Sequence, residues 1–361
     1  MPIAMHRRRC LFLSLSLLAV LSGCAHAPPV AAPPVSVLDG AIASDYNGVV
    51  LVRAQRGAPA LVKAYGQAQF ETPAPLLPDT RFMVGSVSKW ITSVAVLRLA
   101  EQGKLDLDKP IGTWLPELPA ASRAVPLRAL LSNTSGIENG LGLALKRDRS
   151  PAALTISPLE GALRYGSGPV TFAPGASFDY SVTNWLLVGG IVERVTGEAF
   201  KDAIARLVLQ PAGVRDTGFV DHDSNAPRLA VAYDAARAAR KVTPSPPMVA
   251  ASGTLYSTAR DLVTLADAVY GAGLLGSKAR QDLLTVQYAA EEYALGGRVK
   301  QVGRAGALHT LAWETGVSGG YKTLLAYAPE TGRAVVLLNN TDMQQSEQAR
   351  IGLALFDALE R

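Results

Sequence analysis

A serine and a lysine three residues apart raise the prospect of nucleophilic chemistry near the start of an apolar helix. Ser86 and Lys89 lie in FMVGSVSKWITSVAVLRLAEQGK (82–104), whose hydrophobic residues recur with helical spacing. Residues three apart share one face of a helix, so the hydroxyl and the amine would be neighbours. Desolvation disfavours an ammonium ion, and the resulting free amine can take the proton of a serine. The pair predicts a serine nucleophile with a lysine base, although S-x-x-K alone occurs by chance about once in such a chain.

The elements that must position this pair are strands at both ends of the chain and helices between them. Residues 48–69 alternate as two strands, and strand character returns at GYKTLLAYAP and GRAVVLLNNT before a final amphipathic helix. We predict an α+β fold of the β-lactamase/transpeptidase-like kind, in which both termini build one antiparallel sheet flanked by helices. The sheet would use about 45–80 and 295–361, and a mainly helical region would occupy about 81–294. The clearest helical segments are NWLLVGGIVERVTG (184–197), AFKDAIARLVLQPAG (199–213) and STARDLVTLADAVYGAG (257–273).

The first residues have the pattern of a targeting signal. A basic stretch, HRRR (6–9), precedes an apolar segment (11–21) that is too short to span a bilayer. LSGC, ending at Cys24, resembles the lipobox of bacterial lipoproteins, which implies lipidation of Cys24 and attachment to a membrane. Cleavage after AHA (25–27) is the alternative, and it is disfavoured because proline would follow the cut.

The expected layout is therefore a signal peptide, a tether and one catalytic domain. These would cover residues 1–23, 24–37 and 38–361, the tether being Pro/Ala-rich and of polyproline type. The lipoprotein resemblance implies a lipid-anchored protein of the bacterial cell envelope that faces the periplasm. Ala25 rather than Asp after the cysteine favours the outer membrane over the inner one.

Composition and failed motifs exclude several other functions. Hydrophobic residues make up 48% and charged residues 18%, as in a packed globule, and outside HRRR the lysines and arginines form no basic run that would suit nucleic acid. With only four histidines, DHD (221–223) is interpreted as a polar loop rather than a metal site, and we expect neither metal nor cofactor. GAGLLG (271–276) follows a helix rather than the strand that a dinucleotide fingerprint needs. GVSGG (316–320) precedes a strand rather than the helix of a nucleophile elbow.

Further segments of the chain resemble one protein family and follow one another in the order found in that family. From about residue 45 to 361 the chain resembles the serine hydrolases related to class C β-lactamases and D-alanyl-D-alanine carboxypeptidases, which are penicillin-binding-protein-like. The resemblance implies that Ser86 is acylated, that Lys89 is its base and that Tyr180 helps to pass the proton to the leaving group. It also implies an oxyanion hole formed by the backbone N–H groups of Ser86 and Val317. The segments are LRALLSNTSGI, FAPGASFDYSVTNWLLVGGIVERVTGEAF, LQPAGVRDTGF, ASGTLYSTARDL and WETGVSGGYKTLLAYAPETGRAVVLLNN.

Two positions depart from the family pattern. Val182 stands where Y-x-N has asparagine, and it cannot hydrogen-bond a substrate amide. We do not expect Asn184 to replace the asparagine, because it should open the next helix. The third motif, usually lysine or histidine followed by x-G, here reads Glu314, Thr315 and Gly316, which we expect to line the substrate site together with Val182. A glutamate would repel a substrate carboxylate that the family's cation attracts. Two alternatives for Glu314 are that it pairs with Lys89 and raises the lysine pKa, or that it points to solvent.

Three functions remain open at this point. The first is a serine hydrolase that forms an acyl-enzyme with a neutral or cationic ester or amide. The second is a D-alanyl-D-alanine carboxypeptidase or β-lactamase whose substrate carboxylate is held by another cation, such as Arg298 or Lys300. The third is a non-catalytic descendant that binds cell-envelope ligands. The expected partners are accordingly a small-molecule or peptidoglycan-like substrate and a membrane reached through Cys24.

Overall fold

The computed structural model describes residues 1, 31–38, 40–220, 226–239, 245–271, 273–304 and 307–359. Within these ranges the strands are β1 Gly48–Arg53, β2 Leu61–Tyr65, β3 Gln67–Gln69, β4 Ala74–Pro75, β5 Phe82–Met83, β6 Gly218–Phe219, β7 Leu255–Ser257, β8 Arg298–Arg304, β9 Ala307–Ser318, β10 Tyr321–Tyr327 and β11 Ala334–Asn339. The helices are α1 Val87–Glu101, α2 Ala120–Arg123, α3 Leu127–Leu131, α4 Gly140–Arg147, α5 Pro158–Tyr165, α6 Val182–Thr196, α7 Phe200–Ile204, α8 Gln210–Ala212, α9 Ala250–Gly253, α10 Ala259–Tyr270, α11 Ser277–Leu284 and α12 Gln345–Ala358.

The main sheet joins the two ends of the chain. Its six strands run in the order β2-β1-β11-β10-β9-β8, and every neighbouring pair is antiparallel. In β1, which lies between β2 and β11, Val49 faces Leu338 and Leu51 faces Val336 in the register with β11. The predicted α+β fold, with one sheet from both termini and helices between, is confirmed.

Both faces of this sheet are covered, which explains why β1 is hydrophobic at almost every position. Successive side chains of a strand point to opposite faces. Val49 and Leu51 accordingly join the larger core with the helical region, whereas Val50 and Val52 join a second core under α12. Each such side chain contributes about 1.5–3 kcal/mol when fully buried. The site elements α1 and β9 are thus anchored on a rigid, two-sided core.

The segment before β1 is anchored in the core under α12. Residues Val35–Leu38 form a 3₁₀ turn, and Leu38 is buried in the core under α12. Leu38, the first residue of the predicted domain, is thus an apolar anchor of the fold, and the division into residues 1–23, 24–37 and 38–361 stays a prediction. The lipidation prediction at Cys24 and the DHD segment both fall outside the described residues.

The rejected motifs have the structural contexts expected of them. GAGLLG lies between the end of α10 at Tyr270 and the start of α11 at Ser277, and GVSGG joins β9 to β10. None of the helices in the described part of the chain has both the length and the apolar character that crossing a membrane requires. Over the same residues, no group of three or more His, Cys, Asp or Glu side chains is placed to hold a metal ion.

Candidate active site

Ser86 lies on a tight turn between β5 and α1. Gly85 has a φ of +53°, and a Cβ built on it would lie 2.5 Å from the backbone nitrogen of Val317 in β9. Only glycine tolerates both the left-handed backbone and that close approach. Ser86 then caps α1, so that Lys89 occupies the first turn of the helix. The local sequence thus brings strand β9 against the serine-bearing turn.

The three side chains predicted to be catalytic meet at the serine hydroxyl. Lys89 Nζ lies 3.1 Å from Ser86 Oγ, and the Tyr180 hydroxyl donates a hydrogen bond of 2.8 Å to the same oxygen. Lys89 Nζ also donates to the backbone carbonyl of Ser252, at 2.6 Å. The sequence analysis assigned no role to Ser252. The segment ASGTLYSTARDL carried the only signal, and the contact is made by a backbone oxygen that any residue would supply.

The environment of Lys89 favours the free amine. Its side chain is buried, and burial lowers the lysine pKa from 10.5 to about 8, an effect that the negative charge of Glu314 opposes. The ammonium position is also faced by the rings of Tyr180 and Trp185, at 5.0 and 5.9 Å from their centroids. Burial, and then the charge of Glu314, raise the pKa of the Tyr180 hydroxyl above its ordinary value. Near neutral pH the tyrosine is therefore protonated, while a fraction of the lysine is not.

Strand β9 supplies backbone donors beside the serine. A Cβ built on Gly316 would lie 1.9 Å from the carbonyl oxygen of Val84 and 3.2 Å from the backbone nitrogen of Ser86. This approach places the backbone of Val317 beside the turn, and the Val317 side chain is 51% exposed at the mouth of the site. The two N–H groups predicted to form an oxyanion hole therefore lie on adjoining segments.

Glu314 is buried beside the site rather than exposed to solvent. Only 4% of the residue is accessible, so the solvent-pointing alternative is wrong. One carboxylate oxygen accepts from Arg298 at 3.2 Å and from the N–H of Thr315 at 2.9 Å, whereas the other is buried and has no hydrogen-bond partner among the described residues. Burial raises the pKa of Glu314 to about 7, against the opposing charges of Arg298 and Lys89. Its ion-pair partner is Arg298; Glu314 raises the pKa of Lys89 less than burial lowers it.

The two cations considered as alternative carboxylate holders are both engaged by acids. Arg298 lies 3.2 Å from Glu314 and 3.9 Å from Glu291, and its guanidinium stands 5.4 Å from the ring centroid of Trp313. Lys300 lies 3.7 Å from Glu292 and 5.0 Å from the same indole ring. A substrate carboxylate would have to displace these acids to bind either cation.

The second motif lacks its polar third residue, and within the described residues no side-chain amide hydrogen-bonds Lys89 in its place. Val182 begins α6 and packs against the small apolar cluster that contains Leu186. Asn184 is buried and bonds to other residues: its carbonyl accepts from Ser135 at 2.6 Å, and its amide donates to Asn133 at 3.3 Å. Within the described residues, the Lys89 side chain therefore hydrogen-bonds only Ser86 and Ser252.

Comparison with known proteins identifies the family. Residues 37–359 match the family described as Beta-lactamase. The chain belongs to this family. The predicted resemblance to these enzymes and to penicillin-binding proteins is therefore confirmed, and the family match includes both the serine turn and strand β9.

The known proteins that this chain resembles are of several kinds. Esterase EstB of Burkholderia gladioli is 36% identical over 198 residues, which are 52% of this chain and 50% of that protein. The match thus spans about half the length of the esterase. A Beta-lactamase of Pseudomonas fluorescens is 24% identical over 332 residues, covering 82% of this chain and 89% of that protein.

Solved structures agree on the fold. A penicillin binding protein from Bacillus halodurans has a TM-score of 0.75 at 25% identity and covers 88% of this chain and 97% of its own. A D-amino acid amidase from Ochrobactrum anthropi SV3 has a TM-score of 0.73 at 22% identity, with 90% and 97% covered. The latter likeness shows the fold alone.

Proposed function

We propose that this protein is a serine hydrolase that cleaves an ester or amide through an acyl-enzyme. The observation that carries the proposal is the convergence of Lys89 and Tyr180 on the Ser86 hydroxyl, at 3.1 and 2.8 Å. These are hydrogen-bond distances, so a proton can pass between the three groups.

The geometry suggests how the reaction proceeds. The free amine of Lys89 takes the Ser86 proton while Ser86 Oγ bonds to the carbonyl carbon of the substrate. The N–H groups of Ser86 and Val317 donate to the oxygen that becomes negative. The carbonyl re-forms as the bond to the leaving group breaks, and Tyr180 gives that group its proton and regains one from Lys89. Water then cleaves the acyl-enzyme by the same steps in reverse order.

The charges near the third motif favour a substrate without a carboxylate. Glu314 stands where the family has a cation, and its partner Arg298 is already matched by two acids. Neutral or cationic substrates avoid the repulsion that an added anion would meet there. The esterase relative agrees with this choice, whereas D-alanyl-D-alanine carboxypeptidase or β-lactamase activity requires a substrate carboxylate.

A single plate assay tests the proposal. Protein comprising residues 28–361, which retains every element of the described fold, is assayed on p-nitrophenyl butyrate and on a chromogenic cephalosporin. Ser86→Ala should abolish ester turnover. Ser93→Ala is the matched control, because Ser93 lies on the same helix and its buried hydroxyl has no hydrogen-bond partner in the described residues.

Each outcome separates the candidate functions. Ester turnover that is lost in Ser86→Ala, with the cephalosporin untouched, supports the hydrolase. Cephalosporin turnover would show that the argument from Glu314 is wrong and would favour the second candidate. Equal inertness of wild type and Ser86→Ala on both substrates contradicts the proposal and favours a non-catalytic binding protein.

We also propose that the chain is anchored in the bacterial envelope through Cys24. The support is the basic, apolar and LSGC order of residues 6–24. Cells that express the full chain should incorporate labelled palmitate into it, and the label should fractionate with the outer membrane. Cys24→Ala should lose the label, whereas Cys10→Ala should keep it because that residue lies in the predicted signal peptide.

A further inference from the structure

Aromatic rings gather beside Tyr180. The ring of Phe178 lies 5.7 Å from that of Tyr288 in a stacked arrangement and 5.2 Å from that of Tyr293 at a steep angle. Tyr180 itself stands 6.4 Å from Phe178 and meets Tyr293 edge-on at 6.2 Å. Centroid distances of 4.5–7 Å are those of attractive aromatic pairs. We call Phe178, Tyr288 and Tyr293 the aromatic wall.

The aromatic wall is rigid at the back and open at the front. Tyr293 is fully buried, and the Arg298 guanidinium packs 5.4 Å from its ring centroid. Phe178 and Tyr288 are only half-buried, and Tyr180 is 41% exposed. Backbone hydrogen bonds between Tyr288 and Tyr293 close the turn that carries both rings. An apolar face is thus held in place next to the serine hydroxyl.

The position of the wall relates it to one part of the substrate. In the proposed reaction Tyr180 gives a proton to the leaving group, which must then lie within hydrogen-bond reach of its hydroxyl. The oxyanion donors lie on the turn of Ser86 and on β9. Phe178 and Tyr293, whose rings pack against Tyr180, therefore flank the leaving group, and Tyr288 extends this aromatic face by stacking on Phe178.

We propose that the aromatic wall binds an uncharged aryl group on the leaving side of the substrate, so that the preferred substrates are esters of aryl-bearing alcohols. The inference rests on the proposed hydrolase function and names its substrate class. Aryl groups are favoured over charged ones because Arg298, the cation that packs on Tyr293, already has acidic partners in Glu291 and Glu314. Stacking against Phe178 and Tyr288 should favour a benzyl over a methyl ester by about five- to tenfold in kcat/KM.

The test compares two matched pairs of substrates. Benzyl and methyl butyrate differ only in the alcohol, and methyl phenylacetate and methyl butyrate differ only in the acyl group; hydrolysis is followed by titration of the released acid. Tyr288→Ala and Phe178→Ala should reduce the benzyl-to-methyl ratio severalfold and leave the acyl ratio unchanged. Tyr288→Phe should restore the benzyl preference, because the ring is kept.

Val286→Ala is the control, since Val286 precedes the same turn, is 38% exposed and belongs to none of these ring pairs. Thermal unfolding verifies that each variant folds. If Phe178→Ala does not fold, the benzyl-to-methyl ratio of Tyr288→Ala alone tests the inference. A benzyl-to-methyl ratio that is unchanged in Tyr288→Ala overturns the inference but leaves the proposed hydrolase function intact. An effect of the substitution on the acyl ratio alone has the same meaning. Hydrolysis of none of these esters by the wild type overturns the inference and contradicts the proposed function together.

Discussion

At the scale of one residue, the pH dependence of activity tests whether Lys89 is the catalytic base. Its pKa of about 8 means that the reactive free amine becomes predominant only above that pH. We expect kcat/KM for the butyrate ester to rise through pH 8 to a plateau. Glu314→Gln removes an opposite charge that favours the ammonium form, so the rise should move to lower pH by about 0.5–1 unit.

The profile is measured between pH 6 and 10 on wild type and Glu314→Gln at several salt concentrations. A rise that moves to higher pH in the variant would contradict the assignment of Lys89 as the base. A profile unchanged by the substitution would show that the charge of Glu314 does not reach the amine.

The same residue should lower the stability of the fold. The folded chain holds the lysine proton less tightly than the unfolded chain, whose pKa is near 10.5, so stability is reduced below pH 8 and recovers between pH 8 and 10.5. Lys89→Met should therefore raise the free energy of unfolding at pH 7 by about 1–3 kcal/mol, less the lost hydrogen bond to Ser252. Urea unfolding at pH 7 and pH 10.5 measures it. A gain that persists undiminished at pH 10.5 would point to packing instead of charge.

At the scale of elements, the contact between β9 and the serine turn depends on a missing side chain. Gly316→Ala would push a methyl group to 1.9 Å from the carbonyl of Val84, so β9 must move away from Ser86. We expect kcat to fall by about 10²–10³-fold through loss of oxyanion stabilisation.

Gly253→Ala is the matched control, because its Cβ would meet its neighbours only at 3.9 Å. Circular dichroism and ester kinetics on both variants make the comparison. Retained kcat in a folded Gly316→Ala protein would exclude the backbone of β9 from the reaction.

The elements themselves could be predicted from sequence because their signals are local. The periodicity of α1 and the apolar run of β1 are each contained in a short window. The environment of Glu314 could not be predicted in this way, because it depends on β9 lying beside both α1 and β8. The pairing with Arg298 and the gathering of Phe178 with Tyr288 likewise join distant segments, and the carbonyl of Ser252 leaves no signature in residue type.

At the scale of the whole molecule, one ion pair joins the sheet to the helical region. Arg53 of β1 makes two hydrogen bonds of 2.6 Å with Asp267 of α10, whose carboxylate also accepts from Tyr327. The Arg53 side chain is only 7% exposed, so its loss leaves a partly buried acid without its main partner. Arg53→Ala should lower the free energy of unfolding by about 3 kcal/mol.

Arg350→Ala provides the comparison. Arg350 pairs with Glu347 on the surface of α12, with 67% and 44% of the two side chains exposed, and such pairs contribute less than about 1 kcal/mol. Both variants are unfolded in urea at pH 7. Equal small losses would show that the contact between β1 and α10 does not limit stability.

The main sheet contains strands from both ends of the chain, and this arrangement determines when the sheet can fold during synthesis. Asn47, just before β1, hydrogen-bonds the side chain of Asn340, which is 293 residues away, and β1 takes β11 as its inner neighbour. Contacts so distant in sequence close slowly and late. The strand that approaches the nucleophile, β9, also comes from this last part of the chain. A ribosome must therefore deliver residues 48–339 before β1 and β11 can pair, and the emerging chain has no finished active site until β9 has been made.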